Sequence, residues 1–357
     1  MPGLGAGGTE RVVSIIANGW AERGWDVSIF AFAPANETPY YALHPKIAVC
    51  RLGLPPSPYP ALQAMLATAR RIAALRKALR QLSPDIVVSF LTRTNVKTII
   101  ATAGMDVPVV VSERNNPELQ DVGIWWNWLR ARTYPRAFGL VTMTKGALEF
   151  IPETLRQRGW VIPNPVIHPN VPARRPGNGV LTAVGRLVPQ KGFDILLSAF
   201  AEVAPAFPEW KLVIWGDGPE RANLEKIRDR LDLGRRVELP GLSARPGLWM
   251  ETADAFVLSS RFEGWGNALT EAMAAGLPVV SFDCPWGPRD MIEDGVDGLL
   301  VPRDDGAALA KALATLLGDA PLRQRLGAAA SASARRFDPE RIIELWNDVV
   351  NSAIEMR

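Results

Sequence analysis

Histidine and cysteine are scarce in this chain, since each occurs only twice in 357 residues. His44 and His168 each precede a proline, and the two cysteines lie far apart without metal-ligand spacing. This scarcity excludes a histidine-based metal cluster and is typical of reduced cysteines in a cytosolic protein. No segment approaches the ~18 consecutive apolar residues of a membrane span, and no signal-peptide pattern opens the sequence. We therefore expect neither a spanning helix nor export.

The length of the chain predicts two domains, because one hydrophobic core rarely grows this large. Hydrophobic residues make up 48% and charged residues 22%, which is ordinary for a globular protein. Basic side chains are in excess over residues 1–163, whereas the remainder is slightly acidic. A basic half suits an anionic partner such as a diphosphate or a membrane surface, with ordinary solubilising charge as the alternative. Nothing points to nucleic acid.

The stretch from Arg261 to Leu300 has the most informative pattern, which predicts a loop, a helix and a buried strand. Strong helix formers fill 267–275, Gly276 is placed to end the helix, and Pro278 blocks its continuation. A glycine-containing loop that opens a helix directs free N–H groups and the positive end of the helix dipole at one point. That point suits a phosphate.

Two carboxylates flank this predicted phosphate site: Glu263 before the helix and Glu271 within its early turns. Because a carboxylate repels a phosphate, we expect both to accept hydrogen bonds from hydroxyl groups of a ribose or a sugar. The alternative is a solvent-exposed loop glutamate and a glutamate that interacts with the helix dipole.

The full string here is F-E-G-x-G-N-x-L-x-E-A-M-A-x-G-x-P-V-V, with seven residues between the two glutamates. It resembles the E-x7-E signature of the family 4 retaining glycosyltransferases. The resemblance implies the α/β GT-B fold, in which two Rossmann-like parallel-sheet domains face each other across a cleft and a C-terminal helix crosses back to the first domain. It also implies a nucleotide diphosphate sugar as donor, with UDP as the nucleotide. Because the sequence has no Asp-x-Asp metal motif in a convincing context, we expect no divalent metal, and we expect no cofactor.

Clustered prolines mark the predicted domain boundary. They follow Asn164-Pro165, which resembles the family's interdomain crossover. We predict an acceptor-side domain over 1–163, a linker over 164–178, a nucleotide-sugar-binding domain over 179–338 and a crossover helix over 339–357.

The first domain opens on a glycine-rich loop, and then a helix over 9–23 and a strand over 26–32 are predicted. Gly7 and Gly8 look like the family's first glycine loop, which approaches the donor phosphate or the acceptor. The apolar strand that precedes this loop in similar proteins, and that is central in a doubly wound sheet, is missing. We expect that the true start lies upstream; the alternative is a domain without its middle strand.

The second domain carries further residues of the resemblance. Its G-R-x4-K-G segment places Arg186 and Lys191 at the donor diphosphate, one as a bidentate fork and one as a point charge. The turn at Gly241 and Leu242 is where relatives hold the base. By the same resemblance, Glu263 contacts the donor sugar, Glu271 contacts the ribose, and the helix start contributes the phosphate-binding residues Gly266, Asn267, Ala268 and Leu269.

Two segments of the first domain concern the acceptor. Ser-Glu-Arg-Asn-Asn-Pro follows a predicted strand and makes Glu113, Arg114 and Asn115 candidates for contact with the acceptor or the donor sugar. Tryptophans and arginines alternate over 124–136, which suits a membrane interface or, equally, a helix packed on its own domain. A single helix is predicted over 145–158.

These segments resemble transferases that extend polyprenyl-diphosphate-linked glycans. We therefore expect a peripheral enzyme at the cytoplasmic face of the membrane that assembles cell-surface polysaccharide or oligosaccharide. Three alternatives remain: a soluble sugar-phosphate acceptor, a sugar-nucleotide epimerase, and a non-catalytic nucleotide-sugar-binding protein. An NAD dehydrogenase is disfavoured, because no G-x-G-x-x-G follows a strand with an acid ~20 residues later.

Overall fold

The computed structural model describes residues 1–55, 61–116, 119, 122–169 and 177–356. It divides into two compact units: unit 1 comprises Met1–Pro165 and Pro339–Arg357, and unit 2 comprises Val166–Asp338. Residues 170–176 of the predicted linker lie outside the described residues, as does Pro117 of the Ser-Glu-Arg-Asn-Asn-Pro segment.

Unit 1 is built from short parallel strands and the helices that cover them. Its strands are β1 (Ser28–Ala31), β2 (Ala48–Arg51), β3 (Val87–Phe90), β4 (Val109–Ser112), β5 (Gly139–Thr142) and β6 (Gly159–Val161). Its helices are α1 (Gly8–Glu22), α2 (Ala61–Leu82), α3 (Thr92–Thr102), α4 (Ile124–Thr133), α5 (Lys145–Glu149), α6 (Glu153–Arg156) and α14 (Pro339–Glu355). β1 and β2 form one sheet, and β3-β4-β5-β6 form another.

The core of unit 1 lies between its helices and the β3–β6 sheet. Val12 and Ile16 of the amphipathic α1 pack with Val110 of β4 and with Trp346 of α14, which is fully buried. The two helices approach closely, because a Cβ added at Gly19 would come within 2.2 Å of the Ile343 side chain. The C-terminal helix therefore belongs to the core of the first unit, as the resemblance implies.

The single helix predicted over 145–158 is wrong. Pro152 lacks a backbone N–H and its ring collides with the preceding turn, so the segment divides into α5 and α6. The residues after α6 form β6, which pairs in parallel with β5 and extends the sheet.

Unit 2 alternates strands and helices throughout. Its strands are β7 (Val180–Val184), β8 (Lys211–Trp215), β9 (Val237–Gly241), β10 (Ala255–Leu258), β11 (Val279–Asp283) and β12 (Leu299–Pro302). Its helices are α7 (Phe193–Val203), α8 (Arg221–Arg230), α9 (Leu248–Thr252), α10 (Asn267–Ala274), α11 (Pro288–Met291), α12 (Gly306–Gly318) and α13 (Ala320–Ala334). The strands form one parallel sheet in the order β12-β11-β10-β7-β8-β9.

The sheet of unit 2 is buried on both faces, which explains its continuous apolar strands. Leu181 and Leu212 are fully buried beside Leu196 of α7 and Leu313 of α12. The predicted α/β fold, with a Rossmann-like parallel sheet in each half, is confirmed.

Candidate active site

The strand order of unit 2 creates a switch point between β7 and β10. The chain moves outward from β7 to β8 and β9, and then returns to the other side of β7 through β10. The loops that follow these two neighbouring strands therefore leave the carboxyl edge of the sheet in different directions and open a crevice, where α/β sheets bind ligands. The G-R-x4-K-G segment follows β7, and the segment with Glu263 follows β10.

Hydrogen bonds join these two loops side by side. Ser259 Oγ donates to the carbonyl of Lys191 at 2.9 Å, and the amide of Arg261 donates to the carbonyl of Gln190 at 2.8 Å. The side-chain amide of Gln190 donates to the carbonyl of Phe262 at 2.9 Å. The side chains that follow in the two loops are thereby held in one place.

Gly192 permits this close approach. Its φ of +61° lies in the left-handed region, and a Cβ there would come within 2.1 Å of the Ser259 carbonyl oxygen. Any other residue would strain the backbone and separate the loops.

Lys191 and Glu263 meet where the loops join. The ammonium of Lys191 donates to Glu263 Oε1 at 2.6 Å, and Ser260 Oγ donates to the same oxygen at 2.6 Å. Glu263 is only 6% exposed. Its second oxygen, Oε2, has no protein hydrogen-bond partner within the described part of the chain. The carboxylate is thus fixed through one oxygen and has acceptor capacity at the other.

Arg186 stands at the opposite end of the loop after β7 and is exposed. Among the described residues, it has no ion pair or hydrogen bond through its side chain. Its loop rests on the Gly216–Gly218 turn, since Leu187 donates its amide to the carbonyl of Asp217 at 2.9 Å. In this turn Gly216 adopts φ of +139°, whereas Gly218 has no positive φ and allows close approach to Leu187.

The predicted phosphate-binding helix is α10, and it begins as expected. Gly266, with φ of +101°, precedes the first helical residue, Asn267, and no side chain caps the helix. Asn267 and Ala268 are partly exposed, whereas Leu269 is fully buried and its amide donates to the Gly266 carbonyl at 2.9 Å. The amide of Leu269 is therefore used within the first turn of the helix. Glu271 lies one turn later and is partly exposed.

The predicted base-binding turn lies at the end of β9. Gly241 has φ of +92°, and its carbonyl accepts from the amide of Gly216 at 2.8 Å. Leu242 is 64% exposed, so an apolar side chain faces solvent beside this edge of the sheet.

In unit 1, the predicted glycine loop leads directly into a helix. Gly7 precedes α1 in extended conformation, and Gly8 is its first residue. Glu10 lies in the first turn, where a carboxylate interacts favourably with the helix dipole.

Glu113 is buried at the carboxyl end of β4, and both of its oxygens are engaged. Thr92 Oγ1 donates to Oε2 at 2.8 Å, and the Tyr134 hydroxyl donates to Oε1. Asn95 supports this group by donating to the Tyr134 oxygen at 3.0 Å. Burial raises the pKa of Glu113, and the two hydrogen bonds offset only part of that shift. The side chain is therefore positioned inside the unit and does not project from it.

Arg114 is also buried, and its neighbour Asn115 is half-buried. The Arg114 guanidinium donates to Ser112 Oγ and to Asn164 Oδ1, and it lies 5.6 Å from the centre of the Phe90 ring. Burial lowers the pKa of Arg114 to about 9. Sequence reasoning missed the partners in these two groups, namely Thr92, Asn95, Tyr134 and Asn164, because no local pattern links residues that lie far apart in the chain.

The exposed face of α4 carries a pair of tryptophans. Trp125 and Trp128 stack with ring centres 5.0 Å apart and are 57% and 45% exposed. Arg132 lies 4.8 Å from the centre of the Trp128 ring. The opposite face packs on the unit through Trp126 and Leu129. Within the described residues, no helix has the combined length and apolar character that crossing a bilayer requires.

Comparison with known proteins places this site in a family. The Glycosyl transferase 4-like domain matches residues 7–170, and Glycosyl transferases group 1 matches residues 167–333. The chain is 30% identical over 349 residues to an α-1,4-N-acetyl-D-galactosaminyltransferase of Campylobacter jejuni, with 96% of this chain and 94% of the relative covered. This chain is a family 4 glycosyltransferase.

The chain is also similar to one further curated protein and to one solved structure. It is 27% identical to an exopolysaccharide phosphotransferase of Streptomyces coelicolor, and the match covers 98% of this chain but only 40% of that relative's length. Anabaena HepE, solved in complex with UDP and glucose, is 20% identical with a TM-score of 0.79 over 99% of this chain and 98% of its own. That likeness shows the fold alone. The predicted family, the GT-B fold and the transferase class are confirmed.

Proposed function

We propose that this glycosyltransferase moves a hexose or N-acetylhexosamine, with retention of configuration, from a UDP-sugar to a glycan or polyprenyl-diphosphate-linked acceptor. The observation that carries this proposal is the contact of Lys191 with Glu263 at the switch point of unit 2. It joins a cation suited to a diphosphate and a carboxylate suited to sugar hydroxyls in one crevice.

Arg186 and Lys191 bind the donor diphosphate in this proposal. The exposed guanidinium of Arg186 is available for two parallel hydrogen bonds, and Lys191 retains donors beyond the one given to Glu263. The amides of Asn267 and Ala268 add the positive end of α10. As the sugar–phosphate bond breaks, negative charge grows on the leaving diphosphate, and these fixed groups stabilise it.

Glu263 binds the donor sugar. Because Lys191 and Ser260 fix Oε1, Oε2 accepts from a sugar hydroxyl in a defined direction. The adjacent ammonium also offsets the repulsion between this carboxylate and the diphosphate. Glu271 accepts from the ribose hydroxyls, and the turn at Gly241 and Leu242 holds the base. The UDP and glucose bound to the HepE relative are consistent with a UDP-sugar donor.

Retention follows from attack of the acceptor on the face that the diphosphate leaves, with the leaving phosphate oxygen taking the acceptor proton. No side chain is then needed as general base, and no divalent metal is needed while Arg186 and Lys191 neutralise the phosphates. The described residues contain no group of three His, Cys, Asp or Glu side chains arranged to hold a metal ion.

The acceptor is a membrane-linked glycan used for cell-surface polysaccharide or oligosaccharide, and the enzyme is peripheral at the cytoplasmic face. Two observations support this assignment. The Campylobacter relative is named for an acceptor on PP-undecaprenol. The exposed Trp125 and Trp128 beside Arg132 are side chains that favour lipid headgroups. In unit 1, the buried Glu113 and Arg114 and the half-buried Asn115 contribute to the acceptor side, and Gly7 and Gly8 lie at the start of α1 in the same unit.

A donor panel tests the proposal. Purified protein is incubated with UDP-, GDP- and ADP-sugars, with and without a chelator, and released nucleotide is measured. We expect chelator-resistant release from one UDP-sugar and a loss of about 10²–10³-fold in Glu263→Gln. Donor binding without turnover across the panel would overturn the proposal and favour a non-catalytic nucleotide-sugar-binding protein.

A further inference from the structure

The bend that follows β11 lies at the same edge of the unit 2 sheet as the candidate site. β11 pairs in parallel with β10, so the bend leaves the carboxyl edge beside the loop that carries Glu263. It comprises residues 284–287, with the sequence Cys-Pro-Trp-Gly, and leads into α11. It is therefore a third segment at this edge, next to the loops after β7 and β10.

Both ends of this bend lie against Glu263. At the far end, a Cβ added at Gly287 would be 3.5 Å from Glu263 Cβ. At the near end, the Cys284 side chain is buried, and burial raises the pKa of its thiol. The nearby charge of Glu263 contributes to that shift. The two residues between these ends, Pro285 and Trp286, are therefore held close to Glu263.

Trp286 has an unusual backbone conformation, since its φ of +58° lies in the left-handed region. Among the described residues, four others apart from glycine have positive φ, and none of them is aromatic: Ser83, Leu91, Asp232 and Asp304. A Cβ in this region crowds the following carbonyl oxygen, so bulky side chains rarely occur there, whereas glycine and asparagine are tolerated. Strain of this kind is retained where the position of a side chain serves binding or catalysis.

The surroundings fix the bend in this conformation. Arg289 Nε donates to Asp283 Oδ1 at 3.1 Å, which links the residues on either side of the bend. Gly287, with φ of +142°, lies so near the Trp265 carbonyl oxygen that a Cβ would come within 2.6 Å of it. Trp286 is thus held from both sides, and its ring is half-buried at the sheet edge.

We propose that Trp286 is a specificity-determining residue that packs its indole ring on the hexose ring of the nucleotide-sugar donor. This inference rests on the proposed function, in which Glu263 accepts from a hydroxyl of the same sugar. The carbon-bound hydrogens of a pyranose form an apolar face, and the electron-rich face of an aromatic ring attracts them. An indole beside a carboxylate therefore matches the two kinds of surface that a hexose presents.

Binding measurements without an acceptor test the inference. The parent and its variants are titrated with UDP and with the UDP-sugars of the donor panel in a calorimeter. Trp286→Asn removes the ring and keeps the backbone conformation, because asparagine tolerates the left-handed region. We expect its affinity for the UDP-sugar to fall about tenfold, whereas its affinity for UDP should change by less than about twofold, since UDP lacks the hexose.

Two further variants separate the ring from the fold. Trp286→Phe keeps an aromatic face and should bind the UDP-sugar within about threefold of the parent. Trp25→Asn, which removes a half-buried tryptophan from unit 1, is the control and should leave both affinities unchanged. Proton NMR gives an independent readout, because the ring current of an indole shifts the C–H resonances of a hexose stacked on it upfield. We expect this shift in the parent and not in Trp286→Asn.

The outcomes separate this inference from the proposed function. If the parent and Trp286→Asn bind the UDP-sugar equally well, the inference is overturned and the proposed function stands. The same holds if the variant loses affinity for UDP and for the UDP-sugar in equal proportion, because Trp286 would then support the phosphate-binding loop alone. A parent that binds UDP but gains nothing from the sugar in any UDP-sugar also overturns the inference. A parent that binds no UDP-sugar would overturn the proposed function and this inference with it.

Discussion

The ammonium of Lys191 lies 2.6 Å from Glu263 Oε1, although the two residues are 72 positions apart in the chain. The contact exists because the loops after β7 and β10 leave neighbouring strands and are joined by hydrogen bonds to their backbone carbonyls. It couples the group proposed to bind the diphosphate with the group proposed to bind the sugar. Structural and catalytic roles of the pair can therefore be separated by measurement.

Removing one member of this pair should cost both stability and activity. Lys191→Met leaves a nearly buried carboxylate with only Ser260 as partner, so we expect a loss of about 1–3 kcal/mol in the free energy of unfolding. Lys191→Met with Glu263→Gln should recover at least half of that loss, because no unpaired charge remains. Donor turnover should stay about 10²–10³-fold below the parent in both variants.

Urea denaturation and nucleotide release measure the two effects on the same preparations. Ser198→Ala, at an exposed position on α7, is the control substitution and should change neither the free energy of unfolding nor donor turnover. Recovery of turnover in the double variant would mean that the pair serves stability alone.

The glycine between the joined loops offers a second test. Gly192→Ala introduces a Cβ at 2.1 Å from the Ser259 carbonyl oxygen, whereas Gly295→Ala has a similar φ, +73°, and no atom within 4 Å. We expect Gly295→Ala to cost about 1–2 kcal/mol from backbone strain alone. Gly192→Ala should cost more and should also reduce donor turnover. Calorimetry measures the stability of each variant, and a nucleotide-release assay measures donor turnover. Equal Tm values for the two variants would contradict the close approach of Gly192 to the Ser259 carbonyl.

Glu113 should make stability depend on pH. Because burial raises its pKa in the folded state, the folded protein holds this proton more tightly than the unfolded chain does. The contribution is complete below the ordinary glutamate pKa of 4.5 and is lost as pH rises through the raised value. Glu113→Gln keeps the shape without the ionisation, so the variant should lose less stability than the parent as pH increases from about 5 to about 8.

The measurement is chemical denaturation at several pH values. Glu344→Gln, which removes an exposed carboxylate on α14, is the matched control. A parent and a Glu113→Gln variant with parallel pH profiles would show that the carboxyl does not hold its proton in the folded state.

Membrane contact should depend on the exposed tryptophans of α4. Replacing Trp125 and Trp128 by alanine should weaken binding to vesicles that contain anionic phosphatidylglycerol by roughly tenfold, which corresponds to about 1.4 kcal/mol of lost apolar burial. Leu345→Ala, on the exposed side of α14, should leave binding unchanged. Co-sedimentation with the vesicles at two salt concentrations measures this binding. If the tryptophan variant binds as well as the parent, these side chains do not contribute to membrane contact.

The second unit was largely predictable from its sequence because its signals are local. The loop and helix start at Gly266 and Asn267 follow from glycine, helix formers and a terminating Gly276 within a few residues. The apolar strands follow from burial on both faces. In unit 1, the prediction of one helix over 145–158 did not allow for the break at Pro152. The short strand β6 that follows was not predicted either.

The sequence by itself determined most of the elements, the family and the candidate residues, since these depend on neighbours in the chain. Only the tertiary structure decided which candidates meet. It placed Lys191 against Glu263, enclosed Glu113 between Thr92 and Tyr134, and separated the strands of unit 1 into two sheets. These outcomes depend on strand order and on contacts between residues far apart in the chain, and no local periodicity encodes them.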